Sequence, residues 1–319
     1  MTARAKVVRT GGGRFDPDED FVFFIAMNSI AIGVPYHPWT LLGVDALMGN
    51  AGMAELRART SQSTSKTFLD SGVFHLATRH AEAHGLTMDE ALRVAPEQID
   101  QFDRFLAKYI EVVRQFEDSL WGYVELDQGG VEGKRKTRAL LESEGLRPIP
   151  VYHPLNDGPD YLDELLERYD RICVGNVVMA EAGTRRALLS MVWERRRRCK
   201  RKVWLHALGY TPNQFFNAYP FNSADSSSHV MAVRFVDTMC SGRAMLAQFG
   251  GLSGDGYRYD GEDLQHAERG LPKKRVVLSW IARTEVEAWR RQWADLERVL
   301  DAERWPAPLA GEPDPVPAG

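Results

Sequence analysis

The stretch from Arg147 to Val178 reads RPIPVYHPLNDGPDYLDELLERYDRICVGNVV and contains one strand, one helix and a second strand. Its two ends, "RPIPVYH" and "RICVGNVV", are short apolar runs rich in Val and Ile, which is typical of buried strands. The segment Tyr161–Tyr169 between them has apolar residues at helical spacing. Because a helix connects the two strands, we expect the strands to run parallel.

The same alternation extends in both directions along the chain. Further strand candidates begin at residues 21, 66, 121, 202 and 221, with the sequences "FVFFIAM", "KTFLDSG", "WGYVELD", "KVWLHALG" and "FNSAD". Helical spacing recurs in Pro96–Phe116, Lys134–Ser143, Thr184–Lys200 and Thr284–Arg304. An alternation of this length predicts an α/β fold, a (β/α)8 TIM-like barrel with peripheral helices. An open doubly wound sheet is the alternative, but no G-x-G-x-x-G follows the first strand, which disfavours a nucleotide-binding fold.

The composition is that of an ordinary globular protein. Of the 319 residues, 44% are hydrophobic and 26% are charged. We expect one barrel domain over residues 21–305, a peripheral or disordered N-terminal segment over 1–20, and a disordered tail over 306–319. The 3 Cys residues form no C-x-x-C pair, which favours a reducing, cytoplasmic compartment. The longest apolar run, Phe21–Val34, is too short to span a bilayer, so we expect no membrane association.

Polar residues, with one glycine among them, recur where the predicted strands end. They are Asp70, Asp127, His153, Gly175, Asn176, His206 and Asp225. In a parallel barrel the carboxyl ends of all strands emerge on one face, where barrel proteins build their sites. Each acid taken alone is better explained as the N-cap of the next helix. Three acids that each follow an apolar strand instead predict a shared site.

Paired carboxylates are the groups that glycosidic chemistry uses. One attacks the anomeric carbon, while the other transfers the proton of the departing or arriving group. A third carboxylate can accept hydrogen bonds from the N–H edge of a purine. Three converging acids therefore favour the exchange of a base on a nucleoside.

The segment "FLDSGVF" (Phe68–Phe74) resembles the "DSGGFQ" segment of the tRNA-guanine transglycosylase family, a barrel family. The segments "VELDQ", "VGNVV", "WLHALG" and "SADSSS" follow in the order of that family, so the resemblance covers residues 21 to 230. The combination of "HALG" and "ADSSS" is most similar to phage and bacterial relatives that insert 7-deazaguanines into DNA.

The resemblance implies a role for each of these residues. Asp225 would attack C1′ and displace guanine, which leaves a covalent glycosyl-enzyme, and Asp70 would act as the general acid and base. Asp127 would bind N1–H and the exocyclic amine of the base. The remaining substrate-binding residues would be Ser71, Gly72, Gly175, Asn176 and His206. Glycine at position 175 would let the backbone approach the base. The resemblance implies no cofactor. The 7-deazaguanine base would be a co-substrate.

Two departures from the family pattern bear on the substrate. The tRNA-acting members carry a C-x-C-x-x-C zinc site with a His near the C-terminus, whereas this chain has no Cys after Cys240. We therefore expect no zinc, which disfavours tRNA as the substrate. Val73 and His75 replace the second Gly and the Gln of "DSGGFQ", so contacts with the base would differ there.

A basic cluster supplies candidates for nucleic-acid contact. Its cations are Arg195, Arg196, Arg197, Arg198 and Lys200. The net charge of −4 does not by itself favour nucleic acid. Neutralisation of phosphates by Lys and Arg dominates nucleic-acid affinity, although cations also stabilise the C-terminal end of a helix. We expect this cluster to contact DNA phosphates.

The leading hypothesis is exchange of guanine in DNA for a 7-deazaguanine of the 7-cyano (preQ0) or 7-amidino type, in the cytoplasm of a bacterium or a phage-infected host. One alternative is a tRNA-guanine transglycosylase. Another is a barrel without catalytic activity that binds DNA or a partner enzyme through the basic cluster. A third is a hydrolase of a free nucleoside or sugar. The chain has no recognisable added nucleic-acid module, which leaves a place for a partner protein that supplies specificity.

Overall fold

The structure is a computed structural model that describes residues 7–19, 22–27, 39–199, 201–210 and 221–226. Within these ranges the chain forms eight strands and seven α-helices, with short 3-10 turns between them. The strands are β1 (Val22–Met27), β2 (Trp39–Gly43), β3 (Lys66–Asp70), β4 (Gly122–Tyr123), β5 (Val151–Tyr152), β6 (Arg171–Val174), β7 (Trp204–Ala207) and β8 (Ser223–Ser226). The helices are α1 (Asn50–Thr60), α2 (Val73–His84), α3 (Met88–Arg93), α4 (Phe102–Phe116), α5 (Gly130–Ser143), α6 (Pro159–Arg168) and α7 (Ala182–Arg198).

All eight strands belong to one parallel sheet with the order β4-β3-β2-β1-β8-β7-β6-β5. The sheet curls until its edge strands β4 and β5 approach each other. They are joined by an isolated parallel bridge between Val124 and Ile149, in which the Glu125 N–H donates to the Ile149 carbonyl at 3.0 Å. The predicted α/β fold with a parallel sheet is confirmed, but the sheet is a curled half-barrel and not a fully closed barrel.

Buried polar side chains occupy the seam between β4 and β5. The Val151 N–H donates to Glu125 Oε1 at 2.6 Å, and the Val151 carbonyl accepts from Lys134 Nζ at 3.2 Å. The other Glu125 oxygen lies 3.1 Å from the Arg138 guanidinium. These side chains take the hydrogen-bonding positions that a backbone ladder would otherwise use, so the two edge strands separate after their single bridge.

Two apolar cores lie on the two faces of the sheet. The larger core fills the space between the sheet and the helices, and includes Leu69, Tyr109 and Leu165. The smaller core lies inside the curl of the sheet and consists of residues that alternate with the first set along the strands, such as Phe24 and Phe68. Burial on both faces explains why the strands are continuous apolar runs in the sequence.

The segment 7–19, which the sequence analysis assigns to a peripheral or disordered N-terminal region, packs against the amino-terminal end of the sheet. The Phe15 ring makes edge contacts with Trp121 at 5.3 Å and Trp204 at 5.1 Å between centroids. The Arg171 guanidinium lies 4.0 Å from the centre of the Phe15 ring and donates to the Thr10 and Trp121 carbonyls. This segment therefore covers the end of the inner core opposite the carboxyl ends of the strands.

The seven predicted strands all occur, and the structure adds β2, a five-residue strand that the sequence analysis missed. Four predicted helices correspond to α4, α5, α6 and α7, although the first turn of Pro96–Phe116 is a separate 3-10 turn at Pro96–Gln98. The predicted helix Thr284–Arg304, the tail 306–319 and Lys200 lie outside the described residues. In the part of the chain that the structure describes, no helix is both long and apolar enough to cross a membrane.

Candidate active site

The carboxyl edge of the sheet brings four acids into one electrostatically coupled group. They are Asp45, which follows β2; Asp70, which ends β3; Asp127, which follows β4; and Asp225 in β8. The negative charges of the other three all raise the pKa of Asp70, which places them close to it. The structure therefore gathers the three acids that the sequence analysis expects at this edge and adds Asp45.

Asp225 is the most buried of the four acids, with 3% of the residue exposed. Its Oδ1 atom lies 3.1 Å from His206 Nε2 and accepts a hydrogen bond from the Gly209 N–H at 2.9 Å. Strand β1 pairs with β8 at Asp225 itself, opposite Phe24, and β7 pairs with the two preceding residues, Ser223 and Ala224. The carboxylate is therefore held in one orientation by donors from the neighbouring strand and its loop.

Asp127 uses both of its oxygens in contacts within the site. Oδ1 accepts a hydrogen bond from Ser71 Oγ at 3.0 Å, and Oδ2 lies 2.9 Å from His153 Nε2. Burial acts to raise the pKa of Asp127, but the hydrogen bond and charge of His153, with help from Lys134, outweigh it and hold the pKa below its ordinary value. Asp127 is therefore ionised at neutral pH and can accept hydrogen bonds from a ligand.

A buried ion pair fixes the backbone that carries His153. Asp157 Oδ2 accepts a hydrogen bond from the His153 N–H at 2.7 Å and also pairs with the Lys134 ammonium. Both members of the pair are almost inaccessible to water, with side-chain exposures of 0% for Lys134 and 1% for Asp157. The pair therefore orients the His153 ring toward Asp127 from the helix side of the sheet.

Asp70 has the environment of an acid and base that works near neutral pH. Burial is the largest effect and, together with the charges of Asp127, Asp225 and Asp45, raises the pKa of Asp70 to about 7, against a hydrogen bond from the Gly72 backbone. A carboxyl group with this pKa is present in both protonation states at neutral pH. It can give up a proton in one step and accept one in the next.

Asp45 was not predicted as a site residue, because strand β2 was not predicted. Asp45 lies in the 3-10 turn that follows β2, and its carboxylate folds back over Gly43, where any side chain would collide with it. Burial raises the pKa of Asp45, and the nearby His75 opposes this effect. The signal was present in "WTLLGVD", an apolar run that ends in an acid like the others.

At two glycines of the predicted base site, neighbouring groups leave little room for a side chain. Gly72 has a φ of 72° and packs against the Phe105 ring, so it permits the tight turn between β3 and α2. A Cβ at Gly175 would lie 3.0 Å from Cδ2 of His153. Gly175 therefore makes room for the His153 ring, and its predicted approach to a base stays a prediction.

Asn176 has a φ of 51°, and its side-chain carbonyl accepts a hydrogen bond from the Leu155 N–H at 3.4 Å. It thus links the turn after β6 to the loop after β5 at the carboxyl edge of the sheet. Its predicted contact with a substrate stays a prediction, as do those of Ser71 and His206.

The four arginines of the basic cluster lie at the opposite end of the sheet from the acids. Helix α7 begins at the carboxyl edge and ends at Arg198, near the start of β7, and its 17 residues span about 25 Å. Arg195 pairs with Asp163, and Arg196 is buried and donates to the Val203 carbonyl at 3.1 Å. Of the four arginines, which are the members of the cluster that the structure describes, only Arg197 and Arg198 are exposed. Their contact with phosphates stays a prediction, and those phosphates would lie about 25 Å from the acids.

Among the described residues, no three His, Cys, Asp or Glu side chains are arranged to hold a metal ion. The region after Cys240, where the sequence analysis expects no zinc site, lies outside these residues. No protein-family model matches the chain, and no curated protein matches it either. The functional inference therefore depends on the residues and geometry of the site.

Proposed function

We propose that this protein is a nucleic-acid base transglycosylase that exchanges guanine in DNA for a 7-deazaguanine of the 7-cyano or 7-amidino type. In this proposal the curled sheet serves as the (β/α)8 barrel of the tRNA-guanine transglycosylase family, which the segments around Asp70 and Asp225 resemble. The observation that carries the proposal is the pairing of a held, buried carboxylate, Asp225, with a carboxyl group whose pKa is about 7, Asp70, at one edge of the sheet.

The two carboxylates divide the reaction into two steps. First, an oxygen of Asp225 attacks C1′ of the target deoxynucleotide as the C1′–N9 bond breaks, and protonated Asp70 gives its proton to the departing guanine. Next, ionised Asp70 takes the N9 proton of the incoming 7-deazaguanine. The freed N9 electron pair attacks C1′ and releases Asp225 as a carboxylate. Each cycle returns both acids to their starting states.

Asp127 suits the recognition of a guanine-like base. A carboxylate that remains ionised accepts hydrogen bonds from N1–H and from an exocyclic amine, the two donors on that edge of the base. Its existing contacts with Ser71 and His153 leave lone pairs available, since two carboxylate oxygens offer about four acceptor positions. A base inside a duplex would have to leave its stack to reach this edge.

The experiment that tests the proposal measures modified nucleosides directly. Plasmid DNA and bulk tRNA are incubated separately with the protein and a panel of 7-deazaguanine bases, then digested to nucleosides and examined by mass spectrometry. We expect a 7-deazaguanine deoxynucleoside with the native protein and with Asp103→Asn, a control acid on the exposed side of α4. Asp225→Asn and Asp70→Asn should each abolish it. A modified nucleoside in tRNA alone would move the substrate to tRNA, and none in either nucleic acid would contradict base exchange.

A hydrolase acting on a nucleoside is the second candidate, and the His153–Asp127 pair favours it. His153 Nε2 lies 2.9 Å from the Asp127 carboxylate. With Nε2 bonded in this way, the other ring nitrogen, Nδ1, can take a proton from a water molecule and so activate that water for attack. Water would then replace the incoming base in the second step. Release of many labelled guanines per protein molecule in the absence of any 7-deazaguanine distinguishes this candidate, because a base-exchange enzyme would stop after one release, at the covalent glycosyl-enzyme.

A further inference from the structure

Four buried side chains form one continuous line of hydrogen bonds that ends at Asp225. Trp204 Nε1 donates to Ser223 Oγ at 2.7 Å, and Ser223 Oγ lies 2.8 Å from His206 Nδ1. His206 Nε2 lies 3.1 Å from Asp225 Oδ1. No member of the line is more than 3% exposed. The line runs through the inner core from the amino-terminal part of β7 to the candidate nucleophile.

The chemistry of the four groups determines which way each hydrogen points. An indole N–H is only a donor, so Ser223 Oγ must accept from Trp204. The hydroxyl has one hydrogen, and among the described residues His206 Nδ1 is the only acceptor within hydrogen-bond distance of Ser223 Oγ, so the hydrogen points there and Nδ1 accepts it. Neutral His206 therefore carries its hydrogen on Nε2 and donates it to Asp225. Because Trp204 cannot accept a proton, this line orients groups and does not conduct protons away from the site.

The aromatic surroundings keep the His206 ring in this orientation. The Phe68 ring meets it edge-on, with centroids 4.8 Å apart and an interplanar angle of 88°. The Phe24 ring lies on another side at 6.0 Å. A flip of the imidazole would exchange its nitrogens for carbons and break both of its hydrogen bonds at a position where only 1% of the residue is exposed to solvent.

The contacts of Asp225 are unequal at its two oxygens. Oδ1 accepts from His206 Nε2–H and from the Gly209 N–H, whereas no donor of the described residues contacts Oδ2. Donors on Oδ1 fix the rotation of the carboxylate and reduce the nucleophilicity of that oxygen. Oδ2 keeps its lone pairs for an electrophile.

We infer that Trp204 and Ser223 are positioning residues that hold His206 as the Nε2–H tautomer, and that His206 in turn aims Asp225 so that Oδ2 is the attacking atom. The catalytic part of this inference rests on the proposed base exchange, whereas the tautomer does not. The inference gives His206 a different role from the base contact that the sequence resemblance implies, because both of its ring nitrogens are already used within the protein.

The first test observes the tautomer directly and needs no activity. Nitrogen-15 NMR of histidine-labelled native protein reports which imidazole nitrogen carries hydrogen, and the spectrum of His206→Gln identifies the signals of His206. We expect the hydrogen on Nε2 and none on Nδ1. A hydrogen on Nδ1, alone or together with one on Nε2, would overturn the inference.

The second test separates positioning from base binding by steady-state kinetics of base exchange. Ser223→Ala should lower kcat about tenfold, the loss expected for one hydrogen bond that holds a reacting group, with little change in KM for the incoming base. Trp204→Phe should lower kcat in the same way. Trp121→Phe is the matched control, because its indole lies in the same inner core but donates to Glu19 at 3.0 Å.

Substitutions of His206 itself provide the conservative comparison. The side-chain amide of His206→Gln can still donate to Asp225, so this variant should keep more activity than His206→Leu. A rise in KM for the incoming base without loss of kcat, or equal effects of Ser223→Ala and Trp121→Phe, would refute the positioning role. If the native protein modifies no nucleic acid, the proposed function fails, and the NMR result alone still decides the tautomer.

Discussion

Replacement of Asp70 by Asn should make the free energy of unfolding less dependent on pH. In the folded protein, burial and three neighbouring acids raise the pKa of Asp70 from an ordinary value of 3.8 to about 7. A carboxyl group with a raised pKa in the folded state contributes stability that is fully present below its unfolded pKa. That contribution is lost as the pH rises through the folded pKa. The native protein should therefore lose stability between about pH 4 and pH 8 through this group.

The magnitude follows from the size of the pKa change. One pKa unit corresponds to about 1.4 kcal/mol, so the full change between 3.8 and about 7 is equivalent to about 4 kcal/mol. Water reaches part of the Asp70 side chain and screens its neighbours. We therefore expect the stability of Asp70→Asn relative to the native protein to increase by about 2 to 4 kcal/mol from pH 4 to pH 8.

Urea denaturation at closely spaced pH values measures this difference for the two proteins in parallel. Asp103→Asn, which removes an exposed acid on α4, controls for the general effect of deleting one negative charge. The relative stability should rise most steeply between about pH 5 and pH 6, where Asp70 is ionised in the unfolded chain and protonated in the folded one, and should level off above about pH 7. A relative stability that stays constant, or that decreases with pH, would show that Asp70 does not titrate as the structure requires.

Three further predictions concern other parts of the molecule. Asp45→Asn removes one of the charges that raise the pKa of Asp70, so the stability transition of Asp70 measured by the same denaturation series should move to lower pH. Lys134→Met leaves the buried Asp157 carboxylate without its cation and should lower the free energy of unfolding, measured by urea denaturation, by about 3 to 5 kcal/mol. Its control, Lys136→Met, breaks the exposed pair with Glu97 and should lower the free energy of unfolding by less than about 1 kcal/mol. Phe15→Ala removes a partly buried ring from the end of the inner core and should lower the free energy of unfolding by about 2 kcal/mol, with faster proteolysis of the N-terminal segment.

Local patterns predicted the parallel sheet because the strands are buried on both faces and form apolar runs, and because β4, β5 and β6 are each followed by a helix of recognisable period. Strand-end acids were found for the same reason, since a carboxylate directly after an apolar run is visible in the sequence. Strand β2 was missed although its apolar run "WTLLGVD" ends in an acid like the others, and Asp45 was missed with it.

The basic cluster is a sequence feature whose position relative to the acids comes only from the tertiary structure. Four consecutive arginines suggest a phosphate-binding surface. In the tertiary structure Arg195 pairs with Asp163, Arg196 is buried, and the four arginines lie at the far end of α7 from the acids. The residues of a helix terminus do not indicate which end of the sheet the terminus will reach. That position follows from the order of strands and helices, once the strands are known to be parallel.

The sequence by itself determined the fold class, the direction of the strands and the edge at which the acids Asp70, Asp127 and Asp225 meet, because these depend on periodicity along the chain. Only the tertiary structure decided what each acid contacts. His206 reaches Asp225 across 19 residues and His153 reaches Asp127 from the neighbouring edge strand, through contacts set by the register and curl of the sheet. The same packing buries Asp70 among like charges and so sets its pKa, a property that no local pattern of residues encodes.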